Sequence, residues 1–206
     1  MKEFFYTPQA PATGELTEKR SKFLAEIRPV TNEQEAAAFI NKVRSRHRDA
    51  RHTVFSYVLA DGKKRYSDDG EPSGTAGAPI TEILEKNGYR NCAVTVTRYF
   101  GGILLGTGGL VRAYSGAANE AIKNCSFAKM VLKTKLGLNC GYNFYNRIPS
   151  ILSKYKGKIL CSDFSQDVSL TLSLPPEFCD AFSDCIFELS GGTVAVNRLE
   201  CLYEKE

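Results

Sequence analysis

Asn91-Cys92-Ala93-Val94-Thr95-Val96-Thr97-Arg98-Tyr99-Phe100 runs into Gly101-Gly102-Ile103-Leu104-Leu105-Gly106-Thr107-Gly108-Gly109, and then into a small-residue segment from Leu110 to Lys123. The first ten residues read as a strand. Val94, Val96, Arg98 and Phe100 share one face, and Ala93, Thr95, Thr97 and Tyr99 share the other. The glycines end the strand, and the next segment predicts a helix from about Leu110. Glycines leave backbone N–H groups uncovered, and a helix start adds a positive dipole end, so this passage favours phosphate or another anion. It is not a Walker A loop, because no Lys-Ser or Lys-Thr follows Gly106. It does not satisfy GxGxxG either, since Val111 stands where the third glycine belongs. Tight helix–strand packing is the competing reason for so much glycine. Arg98 sits on an otherwise apolar strand face and needs a counter-ion. A carboxylate of this chain or an external phosphate can supply it.

Upstream, residues 15–30 predict a strand region with Phe23, Ala25 and Ile27 alternating. Thr31 with Gln34 reads as a capping box for a helix running to about Ser45. Arg44, Arg46, Arg48 and Arg51 follow as a cationic run, which suits either a helix C-terminus or a polyanion surface. The run His52 to Leu59 is β-rich, and Asp61-Gly62 signals a hairpin turn returning through Lys63 to Tyr66. The segment Ser67-Asp68-Asp69-Gly70-Glu71-Pro72-Ser73-Gly74-Thr75-Ala76-Gly77-Ala78-Pro79 is a shaped loop. Its carboxylates suit turn chemistry, or a Mg²⁺ bound together with a substrate phosphate. A short helix is expected at 80–87. From 131 onward the order strand, helix, strand, strand, helix, strand is the split βαβ, ferredoxin-like arrangement. Its members are Val131–Cys140, Tyr142–Tyr155, Lys158–Ser162, Val168–Leu174, a helix after Pro175-Pro176, and Thr193–Tyr203.

The composition sets bounds on function. The 206 residues carry 27 Lys plus Arg, 23 Asp plus Glu and two His, for a formal charge of +4, with 43% hydrophobic residues. That excludes a disordered or fibrous chain. No run approaches a membrane span, and Met1 to Tyr6 lacks an apolar signal-peptide stretch, so a cytoplasmic protein is expected. The charge is uneven: residues 1–130 hold 19 basic and 14 acidic side chains, residues 131–206 hold 8 and 9. Ten of the 17 glycines lie between Gly70 and Gly116. Two domains follow as the expectation, 1–130 and 131–206, with binding in the first. The seven Cys show no metal or catalytic spacing and read as reduced, mostly core thiols. His47 and His52 with the available serines form no recognisable triad, so no catalytic residue, metal or cofactor is expected.

The stretches Asp49-Ala50-Arg51-His52, SDDGEPSGTAGAPI at 67–80 and VTRYFGGILLGTGGLVRAYSGAA at 96–118 resemble the IMPACT (YigZ-like) family over essentially the whole chain. The matching motif residues are Asp69, Gly70, Glu71, Pro72, Gly74, Thr75, Gly77, Arg98, Tyr99, Phe100, Gly101, Gly102, Gly106, Thr107, Gly108 and Gly109, with Asp68 beside them. The resemblance implies an α+β protein, with an N-terminal α/β domain of the ribosomal-protein and elongation-factor-G domain IV type and a C-terminal ferredoxin-like domain. It also implies a non-enzymatic translation factor that contacts RNA or the ribosome. Arg98, Arg44, Arg46, Arg48 and Arg51, with His52 beside them, would then face phosphates, and Tyr99 or Phe100 would stack on unpaired bases. A small-molecule kinase-like enzyme using the glycine-rich loop and a protein-docking module are the two alternatives.

Overall fold

In a computed structural model the described residues are 3–206; Met1 and Lys2, which begin the stretch read for a leader, lie outside them. The chain is a mixed α+β protein built on two antiparallel sheets, and it divides into two units, 5–129 and 130–206 with 3–4.

The unit 5–129 carries β2 (Ala12–Glu18), β3 (Ser21–Pro29), α1 (Glu33–Arg46), β4 (His52–Val58), β5 (Lys64–Ser67), α2 (Gly77–Lys86), β6 (Cys92–Tyr99) and α3 (Thr107–Lys123). The sheet runs β2-β3-β6-β4-β5. β6 is its centre, which explains its alternating but apolar composition: both of its faces are covered. On one face, α2 and α3 pack Ile80, Leu84, Leu110 and a stripe of alanines against Phe23, Ile27, Val54, Val94 and Val96. On the other, Ala36, Phe39, Ile40 and Val43 of α1, one helical stripe, meet Phe55, Tyr57 and Ala93.

Two local expectations need correction. The segment 15–30 is a hairpin rather than one strand, because Lys19 (φ 44) and Arg20 (φ 67) form a two-residue turn with the hand that twisted strands prefer. The α1 cap lies one residue later than Thr31. Asn32 accepts the Glu35 N–H at 2.9 Å, and Glu35 reaches back to the Thr31 N–H at 2.7 Å. A strand that the sequence pattern does not announce, β1 (Phe4–Pro8), pairs with β7 (Phe127–Cys140).

The second sheet belongs mainly to 130–206. It contains β7 (Phe127–Cys140), β8 (Lys158–Phe164), β9 (Val168–Leu174) and β10 (Val196–Lys205), in the order β10-β7-β9-β8. The helix expected over 142–155 is two pieces, α4 (Tyr142–Tyr145) and α5 (Ile148–Lys154), with Pro149 in the first turn of α5. Pro cannot donate to a continuous helix, so the break precedes it. A 3₁₀ turn at Pro176–Phe178 leads into α6 (Cys179–Leu189). Leu136, Leu138, Leu170, Leu172 and Leu174 face Ile148, Leu152, Phe182 and Ile186 as one core. Of the cysteines, Cys92, Cys140 and Cys179 are buried in the cores and Cys125 and Cys185 pack against them, whereas Cys161 and Cys201, on β8 and β10, are exposed.

Candidate functional site

The loop 67–79 is shaped by its own carboxylates. Asp68 accepts the N–H groups of Gly74, Ala76 and Gly77 at 2.8, 3.0 and 2.8 Å, which caps the start of α2 from a distance in sequence. Asp69 accepts the Thr53 N–H at 2.7 Å and pairs with Arg44 at 2.7 Å. Pro72 offers its carbonyl to Thr75 at 2.7 Å, which closes the turn. Gly77 has no room for a side chain, since a Cβ would lie 2.9 Å from the Ser67 carbonyl oxygen. Turn chemistry therefore accounts for both aspartates, and among the described residues no cluster of three or more His, Cys, Asp or Glu is placed to hold a metal ion.

Glu71 is the exception, because it turns inward. Its Oε1 accepts from Arg98 Nη1 at 2.7 Å and from the Tyr114 hydroxyl at 2.6 Å. The Arg98 and Glu71 side chains are 8% and 4% exposed. The counter-ion that Arg98 demands thus comes from the loop. The guanidinium also lies over the rings of Phe23 at 5.6 Å and Phe100 at 5.4 Å. Burial and the Glu71 carboxylate together hold the Tyr114 hydroxyl far above the usual phenol range, so it stays protonated and donates to Glu71. Tyr114 escaped the sequence reading. Its signal was a phenol in a stripe of alanines, because a buried tyrosine hydroxyl needs a partner.

Above this pair opens a cleft of about 380 Å³, lined among others by Arg51, His52, Phe100, Leu104, Leu105 and Thr107. The His52 Nδ1 lies 2.7 Å from the Asp69 carbonyl, which can only accept, so Nδ1 donates there. Gly106 begins α3 with φ 71, a backbone that suits glycine, and no side chain caps the helix. Among the described residues the Thr107, Gly108 and Gly109 N–H groups donate no hydrogen bond, while Leu110 already bonds the Gly106 carbonyl at 2.9 Å. Gly101 is required by packing: a Cβ there would stand 2.1 Å from the Arg20 carbonyl carbon. Its N–H donates to Ser21 Oγ at 3.1 Å, and Gly102 (φ 83) continues the turn away from β6.

The structure does not gather all of the basic and aromatic residues singled out from the sequence. Tyr99 points to the α1 side of the sheet. Its hydroxyl donates to Asp49 at 3.2 Å and accepts from His47 Nδ1 at 2.9 Å, so it does not share the cleft with Phe100. Arg46 grips Glu26 at 2.6 Å. Arg44 is held by Asp69. Arg48 and Arg51 are exposed and make no ion pair among the described residues. Phe100, expected from the sequence to stack on bases, is 48% exposed, and Leu104, which the sequence pattern does not mark, is 82% exposed beside it as an apolar rim.

Comparisons with known proteins bear on this site. Residues 19–122 match the Impact N-terminal domain, and residues 138–193 match a Domain of unknown function (DUF1949). The chain is 36% identical over 202 residues to IMPACT family member YigZ of Escherichia coli (strain K12), covering 96% of this chain and 99% of that protein. IMPACT family member YvyE of Bacillus subtilis (strain 168) is 31% identical over 201 residues, covering 97% and 93%. Protein IMPACT of Homo sapiens matches over 96 residues at 29% identity, which is 44% of this chain and 30% of that protein. A solved structure, described as the crystal structure of an hypothetical protein, superposes with a TM-score of 0.65 at 35% identity, covering 97% of this chain and 99% of that one. With both of its units matched and relatives that align along almost its full length, the chain belongs to the IMPACT family.

Proposed function

We propose that this chain is a non-enzymatic, translation-associated protein of the cytoplasm that binds ribosomal RNA through the basic, glycine-rich surface of the unit 5–129. The observation that carries the reading is the uncapped start of α3, whose free N–H groups lie beside the exposed Arg51 and Phe100. Helix starts favour phosphates, and an exposed aromatic ring next to one suits an unpaired base. The order β10-β7-β9-β8 and the βαββαβ succession support a ferredoxin-like fold for the second unit. The five-stranded sheet of the first, with helices on both faces, is compatible with the ribosomal-protein and elongation-factor-G domain IV type.

Arg48 and Arg51 are the better phosphate contacts, because Arg44, Arg46 and Arg98 already have carboxylate partners. The test is filter binding of ribosomal RNA fragments across a salt series. The logarithm of affinity should fall linearly with the logarithm of salt, by roughly 0.7 per phosphate contacted on single strands. Arg48→Ala and Arg51→Ala should each weaken binding and lower that slope by roughly 0.7, one phosphate contact. Binding that ignores salt, or a double variant with full affinity and slope, refutes the reading.

A further inference from the structure

The floor of the cleft is left half-satisfied. Glu71 uses only Oε1 within the chain, for Arg98 and Tyr114; Oε2 accepts no hydrogen bond among the described residues, and Arg98 Nη2 donates none. Both side chains are more than nine-tenths buried, and both line the cleft. Arg98 Nε is sealed from solvent without a partner, whereas Oε2 and Nη2 are not sealed. Solvent in the cleft therefore reaches this acceptor and this donor, and an occupant that pairs with both replaces those water contacts with direct, charge-assisted hydrogen bonds.

The rest of the cleft defines that occupant. It must bring a hydrogen-bond donor for a carboxylate oxygen and an acceptor for a guanidinium, adjacent to each other on one edge. It must offer a flat or apolar body to Phe100, whose ring remains about half exposed beside the Arg98 guanidinium, and to the Leu104 and Leu105 walls. It must end in an anion, because Thr107 at the uncapped α3 start and Arg51 lie at the same cleft. Every nucleobase carries a donor and an acceptor side by side on its pairing edge, joined through ribose to a phosphate. A cleft of about 380 Å³ is of the size that holds such a ligand.

The geometry points to a site for one unpaired nucleotide. The base edge pairs with Glu71 Oε2 and Arg98 Nη2, the base lies on Phe100, and the 5′-phosphate sits at the start of α3 beside Arg51. The inference deepens the RNA reading above and rests on it for one of two sources of the nucleotide, an RNA chain end; the other is a free mononucleotide.

Calorimetric titration of the full chain tests it with the four nucleoside 5′-monophosphates, the nucleosides, ribose 5-phosphate, and a 5′-phosphorylated single-stranded RNA tetranucleotide. At least one mononucleotide should bind about tenfold more tightly than its nucleoside and than ribose 5-phosphate. Phe100→Ala, at an exposed ring, should lose about tenfold in nucleotide affinity with ribose 5-phosphate unaffected. Glu71→Gln should do the same where it folds, and Phe100→Ala decides the matter where it does not. A tetranucleotide that binds more tightly than any mononucleotide identifies the chain end as the occupant; equal affinities identify the free nucleotide. Mononucleotides that bind no more tightly than ribose 5-phosphate, or no effect of Phe100→Ala, overturn the site. Salt-dependent ribosomal RNA binding without nucleotide binding would overturn this site and leave the RNA reading standing. Nucleotide binding without RNA binding would do the reverse.

Discussion

Replacing Arg98 by Met isolates what the buried pair does for the fold. The substitution keeps an apolar stem between Phe23 and Phe100 and removes the guanidinium that faces Glu71 at 2.7 Å. Glu71 is then a carboxylate with 4% exposure, and only the Tyr114 hydroxyl at 2.6 Å still satisfies it. Breaking one side of a buried pair costs about 3–5 kcal/mol. Tyr114→Phe, which removes only a hydrogen bond to a charged group, should cost about 1.5–3 kcal/mol. The double variant Glu71→Leu with Arg98→Met removes both charges and should be more stable than Arg98→Met alone, since no charge is left stranded. Urea unfolding followed by circular dichroism gives the totals. Hydrogen exchange at β6 and α3 amides shows that the loss lies in the unit 5–129. An Arg98→Met cost below about 1 kcal/mol, or a double variant less stable than Arg98→Met, would refute the view that these charges hold each other.

Gly101→Ala should destabilise by more than about 2 kcal/mol, measured by the same unfolding, because its Cβ would collide with the Arg20 backbone. Gly74→Ala is the matched control; it has open space and φ +76, and should cost only about 1 kcal/mol of backbone strain. Asp68→Ala frees three N–H groups around the start of α2 and should cost about 1–2 kcal/mol, with α2 amides losing exchange protection first. In alkali, burial pushes the Cys92 thiol up to about 12 from 9.0. The unfolded chain therefore releases this proton before the folded one, and stability should fall as the pH rises from about 9 towards 12. Cys92→Ala should flatten that part of the pH profile, as read from urea midpoints, and an unchanged slope counts against the assignment.

How much was legible follows from where each signal sits. β6 and α3 announce themselves because residue period reports the environment on each face of an element. The β2–β3 turn is silent, because Lys19 and Arg20 adopt positive φ without glycine or asparagine to mark it. β1 is silent for another reason: five residues carry too little pattern, and its partner strand begins at Phe127. The motif residues of 67–79 and 98–109 stand out in the sequence, but their division of labour does not. Nothing in the chain order says that Asp68 caps α2, that Asp69 takes Arg44, or that Glu71 takes Arg98.

The sequence by itself determined the α+β class, the central strand, the family and the need of Arg98 for a counter-ion. Those rest on local period, on ordered motifs and on the cost of an unpaired charge on an apolar face. Only the tertiary structure decided that Glu71 meets that need, that Tyr114 joins it, and that the Tyr99 hydroxyl is taken up by Asp49 and His47. Glu71 and Arg98 lie 27 residues apart, so the loop path and the register of β6 decide their meeting, and chain order alone leaves that choice open.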